Sequence, residues 1–197
     1  LIRRTVNDCC GVGRFLRSEV TPIEEFFVLQ KGEIPKVDVK RWVLSVDGSV
    51  ESPLVLTYED LIRMPQFSEV VTLECFDNVP GGRLIGTALW TGVRVKDVLK
   101  WAGVKEDAVK VLFHAADGYS TSHTILYAAR DDVILALKMN DVALPQEHGF
   151  PLRLVAPGKY GYKWAKWITR IEVVDYDKKG YYEDMGYSDE ADRVSPG

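Results

Sequence analysis

Hydrophobic and polar positions along this chain change over in short blocks. Trp42-Val43-Leu44-Ser45-Val46 alternates toward Asp47-Gly48, with Val50 beyond, and Asp-Gly between extended segments predicts a hairpin. Leu54-Val55-Leu56 continues the extended structure. Ser68 to Leu73, Val109 to Ala115, Val133 to Asn140, Pro151 to Pro157 and Ile168 to Val174 read as further strands, rich in β-branched and apolar residues. Helical spacing is confined to short stretches. Val95, Val98, Leu99 and Ala102 fall at i, i+3, i+4 and i+7, an amphipathic helix closed by Gly103. Thr57 caps a short helix that ends before Pro65. Thr21-Pro22-Ile23-Glu24-Glu25 predicts a Thr-capped turn of helix with acids in its first turn, followed by strand-like Phe26-Phe27-Val28-Leu29. Ile85 to Val93, with small residues around one tryptophan, predicts a loop. Many short strands with few short helices point to one α+β domain with mixed or antiparallel sheets.

The organisation along the chain is simple. Residues 1–20 form an arm that starts basic and turns small and turn-prone. Residues 21–175 hold the strand and helix pattern. Residues 176–197 form an acidic, tyrosine-rich tail that wraps the body or meets a partner. The chain has 197 residues, 46% hydrophobic and 27% charged, with a formal net charge of −4. That balance suits a soluble globular protein and argues against nucleic acid as the partner, because a phosphate backbone wants a basic surface. No apolar run approaches the ~20 residues of a transmembrane helix. No export signal is visible, which points to the cytoplasm, with the periplasm as the alternative where a signal has been removed. The three cysteines, Cys9, Cys10 and Cys75, are odd in number with two adjacent, so they are not a disulfide framework. Cys9 and Cys10 read as incidental thiols. His114, His123 and His148 are spread out, and no protein-only metal site is expected.

Three features carry candidate chemistry. Cys75 sits where the strand Val70-Val71-Thr72-Leu73 gives way to Asp77-Asn78-Val79-Pro80-Gly81-Gly82, so it is either a thiol presented into a site or a half-buried structural cysteine. Arg153 lies inside an apolar strand, where a guanidinium is costly unless it faces an anion or an acid. The run 158–167 packs three lysines and four aromatics into ten residues. It can stack bases, cradle a phosphate, or bury its tryptophans and leave its lysines solvated.

Taken together, these segments resemble the sulfite oxidase family of molybdopterin enzymes. Thr72-Leu73-Glu74-Cys75 with Asn78 is similar to the family's cysteine loop. Ile85-Gly86-Thr87-Ala88-Leu89-Trp90-Thr91-Gly92-Val93 resembles its I-G-N-A-x-W-x-G-V segment. Leu144-Pro145 with His148-Gly149-Phe150-Pro151-Leu152-Arg153-Leu154-Val155 and Pro157-Gly158 resembles its cofactor-binding segment. Lys159-Tyr160-Gly161-Tyr162-Lys163 is closer to the bacterial protein-methionine-sulfoxide reductase branch. The likeness covers roughly residues 21–175, the catalytic domain alone. It implies a sulfite-oxidase-type fold of mixed sheets with short helices and a molybdenum-molybdopterin cofactor. Cys75 would ligate the metal, since a soft thiolate suits a molybdenum dithiolene. Asn78, His148, Arg153, Lys163 and Lys166 would hold the pterin and its phosphate, and Tyr119 would face the metal's oxygen ligand. An external electron-transfer partner is implied, because no haem or flavin motif is present.

Two departures bear on the substrate. Where sulfite oxidases carry Arg-Asn-His-Gly, this chain has Leu29-Gln30-Lys31-Gly32. Where they carry Cys-x-Gly-Asn-Arg, it has Cys75-Phe76-Asp77-Asn78-Val79. Two arginines are missing and an acid is added, each lost charge-assisted hydrogen bond being worth ~1.5–3 kcal/mol to an anion. Lys31 and Arg83 are the cations that stand nearest in sequence to compensate. A neutral S- or N-oxide, including a methionine sulfoxide, fits better than sulfite. The alternatives are sulfite oxidation proper and a non-enzymatic anion-binding domain that has lost the metal.

Overall fold

The computed structural model describes residues 20–193, so Cys9, Cys10 and nearly all of the amino-terminal arm lie outside the described residues. The strands are β1 (Val43–Gly48), β2 (Leu54–Thr57), β3 (Phe67–Glu74), β4 (Ile85–Arg94), β5 (Lys110–Ala115), β6 (Ser120–Thr124), β7 (Ile134–Met139), β8 (Val142–Ala143), β9 (Arg153–Val155) and β10 (Ile168–Val174). They form two sheets. The first runs β2-β1-β10-β5-β6, with β1 and β10 parallel and the other neighbours antiparallel. The second runs β3-β4-β7-β8, with β9 also pairing β7, and is antiparallel throughout. This is the mixed α+β arrangement expected. One buried apolar cluster takes side chains from both sheets, among them Leu44, Ile171 and Phe113 from the first and Trp90, Leu135 and Leu154 from the second. No helix among the described residues is long and apolar enough to cross a membrane.

The helix Val95–Ala102 forms as its spacing predicts and buries Val95, Val98, Leu99 and Ala102. Gly103 closes it with φ +69, a left-handed residue whose N–H donates to the carbonyls of Leu99 and Lys100. The helix Tyr58–Arg63 starts from a reciprocal cap between Thr57 and Asp60.

Three expectations are corrected. The largest concerns Ile85 to Val93, which is not a loop but most of β4, the longest strand, held between β3 and β7. Its glycines serve close packing, not turning. A Cβ on Gly86 would stand 2.7 Å from the Phe26 ring. A Cβ on Gly92 would fall inside the Leu135 carbonyl, beside the register shift between β4 and β7. Gly92→Ala is therefore expected to cost about 3 kcal/mol through forced backbone displacement, read as a lowered urea midpoint with an unchanged slope.

The second correction concerns Asp47-Gly48. β1 and β2 do pair antiparallel, but residues 49–53 make the connection and Gly48 remains in β1. With φ +90, it lies opposite Val173 of β10, whose carbonyl occupies the space a Cβ would need. The third concerns Thr21. Its hydroxyl accepts from Thr87 N (3.1 Å) and does not cap the single 3-10 turn Ile23–Glu25. Phe26 to Leu29 is irregular, since Phe26 alone is inserted, with its ring edge-on to Trp90 and His148 at 5.8 and 5.6 Å.

Candidate functional site

β3 ends at Glu74, and the next residue, Cys75, still donates its N–H to Leu84 O (2.9 Å). The loop that follows is closed by Asn78. Its N–H reaches Cys75 O (3.1 Å), its side-chain amide donates to Glu74 Oε1 (3.1 Å), and its Oδ1 accepts from Leu84 N (3.0 Å). Cys75 is thus fixed at both ends and half-buried, and it is a free thiol. Burial pushes that thiol up, against the Phe76 and Asp77 N–H groups, which favour thiolate.

Cys75 faces a cavity of about 260 Å³. Part of its wall comes from the connection between β9 and β10, which crosses from the second sheet to the first. That connection is strained at Trp167, a buried residue with φ +54. Its indole donates to Gln146 O (2.6 Å) and its N–H to Gly149 O (3.3 Å). The strained turn sets Lys166 beside Arg153. Gly149 makes room for both, because a Cβ there would meet the first carbons of their side chains at 3.2 and 3.1 Å.

Arg153 and Lys166 give the cavity its charge. Arg153 is buried, donates Nη1 to His148 O (3.0 Å), and has no partner for Nε. The Trp90 ring lies 5.0 Å from its guanidinium. Burial lowers its pKa to about 9. Lys166 donates to Glu147 O (2.8 Å), and burial, then Arg153, lower its pKa to about 7. Burial, then Arg153, push His148 down to about 4, so its ring is neutral at pH 7. Neither cation has an acid partner among the described residues. Two buried like charges side by side are costly unless an anionic group joins them. Such a pocket suits a bound phosphate-bearing molecule.

Tyr119 lines the same cavity from the turn between β5 and β6. Its N–H donates to Asp117 Oδ1 (3.0 Å) and its hydroxyl to Tyr162 O. Burial raises its pKa, so it stays a phenol.

The structure therefore gathers Cys75, Tyr119, His148, Arg153 and Lys166 on one cavity, while Asn78 and Lys163 lie off it. Asn78 organises the cysteine loop. Lys163 turns away to Glu183 (2.6 Å) and Asp189 (3.2 Å), fully buried. His123 is buried against Tyr127 and bonded to Lys163 O, and His114 pairs with Glu172, so neither reaches the cavity. Sequence reasoning did not place Phe27, Phe76, Asp117, Tyr162, Tyr182 or Tyr187 on the cavity wall, where the structure has them. The tyrosine-rich composition of residues 176–197 is the sequence signal for Tyr182 and Tyr187.

Residues 31–182 match the family described as the oxidoreductase molybdopterin binding domain. The chain belongs to this family. Molybdenum held by molybdopterin is the cofactor that goes with it, and the fold and residues agree. Among the described residues no cluster of three or more His, Cys, Asp or Glu could hold a metal alone. A metal brought by an organic ligand and finished by one thiolate matches the single cysteine on the wall.

The uncharacterized oxidoreductase YuiH of Bacillus subtilis is 36% identical over 163 residues, 82% of this chain and 80% of that one. The mitochondrial sulfite oxidase of Drosophila melanogaster is 31% identical over 94% of this chain, and a nitrate reductase of Hordeum vulgare 33% over 83%. This chain spans only 36% and 21% of those two proteins. Among solved structures, the sulfane dehydrogenase SoxCD of Paracoccus pantotrophus superposes with a TM-score of 0.68 at 31% identity, covering 73% of this chain and 40% of that one.

Proposed function

We propose that this protein transfers an oxygen atom to or from a neutral sulfur or nitrogen oxide, with methionine sulfoxide among the substrates of that class. The observation that carries the reading is that Leu29 and Asp77 both line the cavity. An uncharged side chain and a carboxylate stand at positions where, by resemblance, sulfite oxidases carry or border anion-binding arginines. A doubly charged anion meets less attraction there, and a neutral oxide loses nothing.

Cys75 supplies the thiolate that completes the metal's ligands. Arg153, Lys166 and His148 would hold the pterin and its phosphate, whereas Lys163, paired with Glu183 off the cavity, takes no part in holding them. The bound cofactor supplies the oxygen-atom transfer and stores the electrons. Tyr119 keeps its proton and offers a polar edge to the reacting oxygen. Reducing a sulfoxide to a sulfide consumes two electrons and two protons and releases water. The electrons come from an external protein partner.

The loaded enzyme is expected to reduce dimethyl sulfoxide or free methionine sulfoxide at least tenfold more efficiently than it oxidises sulfite, since one lost charged contact of ~1.5–3 kcal/mol already corresponds to that factor. Efficient sulfite turnover would refute the reading.

A second reading follows from Lys31, which also lines the cavity, with its ammonium 4.6 Å from the Tyr181 ring centre and 3.3 Å from Gly118 O. That cation favours an anionic substrate. Lys31→Met distinguishes the two, because it removes sulfite turnover if Lys31 holds the anion and spares sulfoxide turnover if it does not.

A further inference from the structure

The segment after β10 returns to the cavity. Lys110 pairs with Asp177 and Asp189. Gly180 lies so close to β6 that a Cβ would stand 2.5 Å from Thr121 Cα and 2.6 Å from Ser120 O. Glu183 is buried, and its Oε1 accepts from Thr121 Oγ1 (2.8 Å) and Lys163 Nζ (2.6 Å). Further on, Tyr162 donates its hydroxyl to Ser188 O (2.8 Å), Tyr160 N donates to Ala191 O (2.9 Å), and Arg193 Nε donates to Glu74 Oε2 (3.0 Å), next to Cys75.

Burying a carboxylate and an ammonium is a costly way to tie down a terminal segment, and a surface tail has no need of it. What the anchoring presents is a set of rings. Tyr182 and Tyr187 both line the cavity and stand 5.0 Å apart, centre to centre. Tyr187 meets Phe76 at 5.8 Å, and Tyr182 meets Tyr119 at 5.9 Å and Tyr162 at 6.0 Å. Phe76 is 54% exposed and Tyr187 37%, so ring surface remains open at the mouth. The match to the family model ends at residue 182, within this segment.

We propose that the anchored segment Gly180–Tyr187 is the specificity-determining wall of this site, with Tyr182, Tyr187 and Phe76 forming an aromatic mouth that selects neutral oxides bearing an aromatic substituent. The inference rests on the reading of a neutral-oxide substrate and names the substituent. Ring edges and faces at these separations accept a further ring in offset or edge-on contact. The negative ring faces give nothing to an oxyanion.

The test uses the cofactor-loaded full chain and an unreactive probe, methyl phenyl sulfone, whose binding is followed by the tyrosine ultraviolet difference spectrum. Tyr182→Leu and Tyr187→Leu are each expected to weaken sulfone binding about fivefold, the order a lost aromatic pair commands. They should lower the ratio of kcat/KM for methyl phenyl sulfoxide to that for dimethyl sulfoxide by the same factor. Tyr187→Phe, which keeps the ring, should bind the sulfone within about twofold of the parent. Phe76→Ala reaches the mouth from the cysteine loop and should repeat the loss while leaving the anchors at Gly180 and Glu183 in place, which separates ring contact from undocking.

Binding that is unchanged in both leucine variants and in Phe76→Ala overturns the proposal. So does a parent enzyme that does not bind the sulfone. Ring-dependent binding of the sulfone with no turnover of any sulfoxide upholds the aromatic mouth and defeats the proposed reaction instead.

Discussion

Cys75→Ser is expected to yield a folded protein nearly free of molybdenum. A serine hydroxyl occupies almost the same volume at the end of β3 but keeps its proton at neutral pH and is a hard ligand where a soft thiolate is wanted. The fold should tolerate the change, because Cys75 is half-buried and the loop is held by Asn78 and the backbone, not by sulfur. A stability change within about 0.5 kcal/mol is expected for a substitution away from the core. Metal analysis and pterin fluorescence on protein produced in a host that makes the cofactor decide the matter. A Cys75→Ser protein carrying a full complement of molybdenum removes the thiolate from the ligand set.

Lys163→Met is expected to be among the most destabilising single changes in the chain, by ~3–5 kcal/mol, because it strands a buried carboxylate. Glu183 is buried, its Oε2 has no partner, and Lys163 is the cation on its Oε1. Thr121 Oγ1 remains as the sole donor once the ammonium is gone. Urea denaturation measures the loss. The double variant Lys163→Met with Glu183→Leu should regain a large part of it, since apolar replacement of both members of a buried pair is often nearly neutral. If Lys163→Met is as stable as the parent, the pair does not anchor the terminal segment.

These two lysine-bearing neighbours also show what the sequence can and cannot tell. Lys163 and Lys166 lie three residues apart in one basic, aromatic run. No local pattern separates them, and both were expected on the cofactor. Their fates diverge because Lys163 ends a 3-10 turn and meets Glu183, twenty residues later, while Lys166 precedes the strained Trp167 and turns to Arg153. The deciding partner is tertiary, so it lies outside any local window. Cys75 and Arg153 were legible for the opposite reason. A thiol at a strand end and a guanidinium inside an apolar strand are each anomalous where they stand, and an anomaly can be read without its partner. β4 was missed through its glycines, which normally mark turns but here admit a phenyl ring and a neighbouring carbonyl. Phe26 misled in the same way, as a single inserted ring within an apolar run that forms no strand. The mouth tyrosines could be seen as a cluster, but not as a wall, because only the return of the chain to β6 brings them to Cys75.

The parallel pairing of β1 with β10 gives this molecule a timetable. Ser45 lies opposite Arg170, so the centre of the first sheet joins residues on either side of the whole second sheet. Such distant pairings close late and slowly. As the chain is synthesised from its amino end, the second sheet has every strand by residue 155, while the first lacks its middle until residue 174. The half that carries Cys75, His148 and Arg153 is thus in existence before Lys166 and the aromatic wall. The side of the pocket that carries the thiol is complete along the chain before the side that carries Lys166, Tyr182 and Tyr187.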